Sequence, residues 1–261
     1  MTELNIMRMD AFTYREKVAD PDVIALVPVG SVEQHGPHMP LGVDTMLSTL
    51  MAELTAAEVN GIVAPTITFG YKSQQRSGGG NHIVGTFGFD ASHVIETTRT
   101  LLNELYRHGL TRIAFINGHY ENYQFVYEGV DLALRDIRNS GAQVPKVVIL
   151  SYWDFVSEAA IEELYPDGFP GWDIEHGGVM ETSLMLLHFP DLVHMDKVMD
   201  LPAADIPPYD VLPAIPERTP PSGCLSSAAV STAKKGQVLT TSIIAGMTEV
   251  LGKEFPTKAL T

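Results

Sequence analysis

The chain has 261 residues, is 45% hydrophobic and carries 22 Gly and 17 Pro, which suits one large globular domain, residues 1–261, with ample room for a buried core. Its formal net charge of -15 excludes a nucleic-acid backbone or an anionic membrane surface as partner, since both would be repelled, and leaves a small neutral or cationic molecule. The single cysteine, Cys224, excludes an intramolecular disulfide and a thiolate metal cage and points to a reducing cytoplasm, while the absence of a signal-peptide pattern or of an apolar run near ~18 residues predicts a soluble, unexported protein.

The first apolar, β-branched run, VIALVPVG (23–30), reads as a strand buried on both faces. It leads into GSVEQHGPHMPLGVDT, where Glu33, His35, His38 and Asp44 crowd a short stretch, and then into a helical stripe, Met46, Leu47, Leu50, Met51 and Leu54. A second strand is expected at GIVAPTITFG (61–70), followed by the glycine-rich SGGGN (77–81) and a helix over Val94–Leu105. Strand TRIAFING (111–118), the segment NGHYEN, a helix over Phe125–Ile137 and strand KVVILSYW (146–153) come next. Past GWDIEHGG, the pattern predicts a helix through VMETSLMLLHF (179–189), a proline-rich ordered arm or subunit contact from Pro202 to Pro221, and a last amphipathic helix near 236–254. Strands alternating with helices imply a three-layer α/β/α domain with a mostly parallel central sheet.

In such a sheet, ligands gather at the carboxyl ends of the strands. Glu33 and His35 fall just past the first strand, and His119 and Glu121 just past the third, each pair spaced i, i+2 and so directed to one side of extended backbone. Asp44, at the apparent start of a helix, either caps that helix or points into the same cleft. Any one of these motifs alone also reads as a solvated loop pair or a helix cap; two after separate strands point to a metal site. Two imidazoles and three carboxylates suit Zn, Mn or Fe, and a bridging carboxylate lets five residues hold two ions about 4 Å apart, an arrangement suited to hydrolysis. His38 fits no ligand pair and reads as a supporting or structural histidine.

The segments GSVEQHGPHMPLGVDT and NGHYEN resemble the metal-binding signatures of the creatininase (creatinine amidohydrolase) family. YKSQQRSGGGNH (71–82), SYWDF (151–155), GFPGWDIEHGGVMETS (168–183), PPYDV and LSSA extend that resemblance over nearly the whole chain, and the serine-glycine loop and the two tryptophan segments are the more specific to creatinine-cleaving members. The resemblance implies that Glu33, Asp44 and His119 hold one metal and His35, Asp44 and Glu121 a second, Zn or Mn, with Asp44 bridging. It places Ser77, Tyr120, Trp172, Asp173 and His176 around the substrate and implies a homohexamer. PHMPLGVDT keeps the general family form, which bears on substrate preference rather than on the ligands.

Creatinine, a planar cyclic guanidine amide, needs flat apolar walls, and the only two tryptophans, Trp153 and Trp172, both lie in candidate site loops, where stacking competes with plain packing as an explanation. The glycines of SGGGN permit close backbone approach to a ligand, and Gly168 and Gly171 before Trp172 suit a closing lid. The expected reaction is reversible hydrolysis of creatinine to creatine, a metal-bridging hydroxide attacking the ring amide carbonyl. Glu121 takes the nucleophile's proton, and His176 delivers one to the leaving ring nitrogen or serves only structurally. Glu175 is unassigned and Glu181 is expected to support His176. The competing readings are a family amidohydrolase acting on a formamide or short peptide, and a non-catalytic metal-dependent scaffold.

Overall fold

The computed structural model describes residues 3–257. Four parallel strands, β1 (Ile24–Val29), β2 (Gly61–Val63), β3 (Arg112–Asn117) and β4 (Lys146–Ser151), form one sheet in the order β2-β1-β3-β4. Among the described residues the α-helices are α1 (Ala11–Val18), α2 (Val43–Glu58), α3 (Gln75–Gly78), α4 (Ala91–Arg107), α5 (Tyr123–Asn139), α6 (Glu158–Leu164), α7 (Val179–His188) and α8 (Ala233–Glu254). One face of the sheet carries α2, α6, α7 and α8 around Leu47, Met51, Leu184 and Ile243; the other carries α4 and α5 around Val94, Leu102, Val126 and Ile137. This is the three-layer α/β/α arrangement that the alternating pattern predicts.

The register is Ala25 against Ile113 through Val29 against Asn117, so the carboxyl ends of β1 and β3 lie side by side. From β1 the chain turns through α2 toward one edge of the sheet, and from β3 through α5 toward the other. The two loops part at that point and leave a crevice, the place where parallel sheets take ligands.

The second strand is much shorter than the expected 61–70. The regular ladder ends where Ala64 N–H donates to the Leu26 carbonyl (2.8 Å), because Pro28 of β1 has no N–H for the next rung, and the two chains meet again where Ile67 N–H donates to the Pro28 carbonyl (3.0 Å) and Gly30 N–H to the Ile67 carbonyl (2.9 Å). Burial on both faces holds for β1 and β2, whereas β4, at the edge, begins exposed at Lys146. The arm from Pro202 to Pro221 contains no strand and is ordered by side chains: Gln75 Nε2 donates to the Ile215 carbonyl (2.6 Å), and Thr219 Oγ1 to the Gly79 carbonyl (2.7 Å). Helices α1 and α6 fall outside the periodic segments of the sequence; they are fixed by caps, Asp10 accepting from Phe12 and Thr13 and Ser157 from Ala160.

Helix α2 buries Val43, Asp44, Leu47, Ser48, Met51 and Ala52 on one stripe. Fully buried Leu47 and Met51 each contribute about 1.5–3 kcal/mol by burial, and so fix the helix and its carboxylate against the sheet. The close approach depends on Gly30 after β1 and Gly118 after β3: a Cβ on Gly30 would run into the Thr45 backbone, and one on Gly118 would lie 2.8 Å from the Asp44 carbonyl. Gly118→Ala is therefore expected to cost about 1–3 kcal/mol in denaturant unfolding through overpacking against backbone that cannot yield. Native stability in that variant would show the contact to be slack.

Candidate active site

Asp44 does not cap α2. The cap position is Gly42, without a side-chain bond, and Asp44 stands in the first turn with its side chain 2% exposed. Its Oδ1 lies 3.0 Å from His35 Nε2 and its Oδ2 3.1 Å from His119 Nδ1, so one carboxylate stands between imidazoles brought from the ends of two strands. Glu33 Oε1 approaches His119 Nδ1 at 3.1 Å and His176 Nδ1 at 3.7 Å. Glu33 and His35 lie in irregular chain after β1; Glu121 lies in a 3-10 turn, Tyr120–Asn122, so turn geometry rather than an extended backbone carries its carboxylate to His119.

Each imidazole is held by its outer nitrogen. His35 Nδ1 faces the Glu33 carbonyl (3.2 Å), His119 Nε2 the Tyr71 carbonyl (2.9 Å) and His176 Nε2 the Gln34 carbonyl (2.8 Å). A carbonyl only accepts, so each outer nitrogen carries the hydrogen, and the inner nitrogens, His35 Nε2, His119 Nδ1 and His176 Nδ1, turn toward the carboxylates. Backbone carbonyls orient metal-binding histidines in this way.

The electrostatics also call for cations. Burial opposes a charged ring at His35, yet the Glu181 and Asp44 carboxylates hold its pKa well above the usual range; burial likewise opposes charge at His119, and Glu33 and Glu121 hold it high. Burial pushes Glu33 up, but His119 and His176 outweigh it and leave it below the ordinary value. Asp44 is held down despite burial by His35 and His119, whereas burial wins at Glu121 and raises it. The carboxylates thus favour positive charge at His35 and His119.

The donor set fits divalent ions. Glu33 Oε2, Asp44 Oδ2 and His35 Nε2 are buried with no well-directed hydrogen-bond partner. Three sets of donor atoms lie within 4.8 Å of one another: Glu33, Asp44 and His119; His35, Asp44 and Glu181; and Glu33, His35 and His176. Asp44 belongs to two of them. Glu121 belongs to none: its Oε2 stands 3.2 Å from His119 Nε2, and its Oε1 accepts from Ser77 Oγ (2.6 Å) and Gln74 N (2.7 Å). Glu181 does not support His176. From the first turn of α7 its Oε2 accepts from Gly177 N (2.7 Å), and its Oε1 points at His35 Nε2 (3.4 Å). His38 is buried away from the ligand sets, its Nε2 against Thr182 Oγ1 (2.9 Å), in keeping with a structural role.

A cavity over this cluster is lined by Ser77, Tyr120, Trp153, Trp172 and His176 of the expected substrate residues. Asp173, in the 3-10 turn Trp172–Ile174, is exposed and does not line it. Trp172, 39% exposed, stands at the mouth edge-on to Phe169, and Trp153 lies edge-on to Tyr152. The inner wall is apolar, with Val156, Met180, Leu184, Leu239 and Ile243. Tyr152, buried at the end of β4, also lines the cavity and was not singled out from sequence; its place at a strand's carboxyl end was the available signal. The α7 and α8 residues of the inner wall gave none, because their stripe is that of any core helix.

A family model for creatininase, described as creatinine amidohydrolase, matches residues 8–251. The chain belongs to the creatininase family. It is 50% identical over 244 residues to the creatinine amidohydrolase of Pseudomonas putida, covering 93% of this chain and 94% of that one. Two solved structures of similar proteins, a manganese creatininase (TM-score 0.96, 47% identity) and a glutamate-to-glutamine creatininase variant complexed with creatine (TM-score 0.95, 46% identity), each cover 98% of this chain and 100% of theirs. This chain and those structures share one fold over nearly their whole length.

Proposed function

We propose that this protein is a metal-dependent cyclic amidohydrolase that reversibly hydrolyses creatinine to creatine. The observation that carries the reading is Asp44, a buried carboxylate between His35 and His119, each of which is oriented by a backbone carbonyl. Half-identity to a creatinine amidohydrolase over nearly the full length supports the substrate. Glu33, Asp44 and His119 would hold one divalent ion, and His35 and Asp44 the second, as Zn or Mn. Glu121 and Glu181 are the two carboxylates placed to complete the set. Glu181→Gln and Glu121→Gln are each expected to lower metal content at the site of His35 and Asp44, read by elemental analysis after dialysis; full retention in either variant would remove that residue from the ligand set.

Two divalent ions supply a Lewis acid for the ring carbonyl and a water acidic enough to serve as nucleophile. The chain's own groups do the rest. Trp153 and Trp172 offer flat faces to the ring, and Tyr120 and Ser77 line the same cavity with hydroxyl groups. Asp173 enters this reading only if the Trp172 segment closes over the substrate, for which Gly168 and Gly171, both at positive φ, provide freedom. Glu121 accepts the nucleophile's proton while Ser77 and Gln74 hold its other oxygen. His176 exchanges protons only through Nδ1, the nitrogen that faces the cavity: bare at rest, it takes up the proton that Glu121 has accepted from the nucleophile and delivers it to the ring nitrogen as that nitrogen's bond to the carbonyl carbon breaks.

The test is proton NMR of creatinine with chelator-stripped protein, before and after Mn or Zn is restored. Creatine is expected only with metal. No creatine despite two bound ions per chain would reject creatinine and turn the search to a formamide or a short peptide. Among the described residues no helix is long and apolar enough to cross a membrane. The reading extends to a single domain over 1–261 working in the cytoplasm as a homohexamer, supported by the lone cysteine and by apolar side chains left exposed on the proline-rich arm, Tyr209 and Leu212.

A further inference from the structure

Gln34, between the ligands Glu33 and His35, is buried and has no place in the chemistry above. Its carboxamide is nevertheless tied on both sides. Oε1 accepts from Gly36 N (3.0 Å), and Nε2 donates to the Gly223 carbonyl (2.9 Å) and, more weakly, to the Gly78 carbonyl (3.4 Å). It sits in a cradle that admits no Cβ: one on Gly223, at φ +80°, would collide with Oε1, and one on Gly79 would lie 3.1 Å from Nε2. The loop carrying Gly223 is joined to His176 in turn, since Leu225 N donates to the His176 carbonyl (3.0 Å). The circuit closes through the Gln34 backbone, whose carbonyl accepts from His176 Nε2 (2.8 Å) while the carboxamide nitrogen lies 3.1 Å from the same ring atom.

Both carboxamide hydrogens are spent on Gly223 and Gly78, so the nearby amide nitrogen gives none to the ring. The opposite tautomer would set the Nε2 lone pair against the carbonyl lone pairs at 2.8 Å and leave the ring no donor there. We infer that Gln34 is a positioning residue for His176: its carboxamide, clamped between the 78–79 and 223 backbones, holds the carbonyl that fixes the ring with Nε2 protonated and Nδ1 bare toward the cavity. The inference rests on the acid/base role proposed for His176, and it adds the device that keeps the working nitrogen free.

The test uses Gln34→Met, which keeps the length and volume of the side chain but not its donors, in the zinc-loaded enzyme. Ring-nitrogen NMR shifts, assigned to His176 by their loss in His176→Ala, report the tautomer. The native enzyme is expected to show Nε2 protonated, and Gln34→Met a mixture, with both metals retained and kcat lowered about tenfold to a hundredfold rather than KM raised. Unchanged His176 shifts would overturn the inference whatever kcat does, as would changed shifts with native kcat. Loss of metals or of the fold would make Gln34 a structural residue and overturn it equally. If His176→Ala itself turns over normally, the acid/base reading fails, while the shifts in Gln34→Met still decide whether Gln34 sets the tautomer.

Discussion

Asp44→Asn is expected to fold and to bind neither metal ion, with creatinine turnover down by at least about a thousandfold, which corresponds to about 4 kcal/mol of transition-state stabilisation. The substitution is isosteric, so the packing of α2 on Gly30 and Gly118 survives, and near-ultraviolet circular dichroism should be native. What disappears is the charge that joins the Glu33–Asp44–His119 set to the His35–Asp44–Glu181 set. An amide can offer one weak oxygen ligand; its NH2 group would face an imidazole nitrogen that a cation should occupy. Loss of one ion per chain by elemental analysis, with the other retained, would show that Asp44 serves a single site and that the centre is not bridged through it.

Most of this centre could be read from sequence because it sits where topology forces it. Once β1 and β3 are recognised as buried parallel strands, their carboxyl ends must neighbour a crevice, and Glu33, His35 and His119 lie within a few residues of those ends. Asp44 was ambiguous because a carboxylate at a helix start usually serves its own helix; only its place on the stripe with Val43, Leu47 and Met51 turns it inward. Glu181 shows the limit of local reading. Its position three residues before Leu184 suggested nothing about His35, 146 positions earlier in the chain, and the contact arises only because α7 packs across α2. Short strand β2 differs from the expected 61–70 for a related reason: the apolar pattern continues past Val63, but the partner strand carries Pro28, which has no N–H for the rung after Leu26.

His176→Ala is expected to keep both ions and to lose about a hundredfold to ten-thousandfold in kcat, the range that one positioned general acid or base supplies. The geometry makes the metal measurement as important as the rate. His176 Nδ1 lies 3.7 Å from Glu33 Oε1, its ring lies 4.4 Å from that of His35, and the three residues form a possible ligand set of their own. If the variant loses an ion along with its activity, His176 is a ligand and the proton must reach the leaving nitrogen by another group of the lining, such as Glu121. If it keeps both ions and also keeps near-normal kcat, the ring is structural. Only retained metal with lost turnover assigns the proton to His176, and the unfilled imidazole space then allows a further check: added imidazole should restore part of the rate in proportion to its neutral form, because only a ring with a bare nitrogen can first accept the nucleophile's proton from Glu121 and then pass it to the leaving nitrogen.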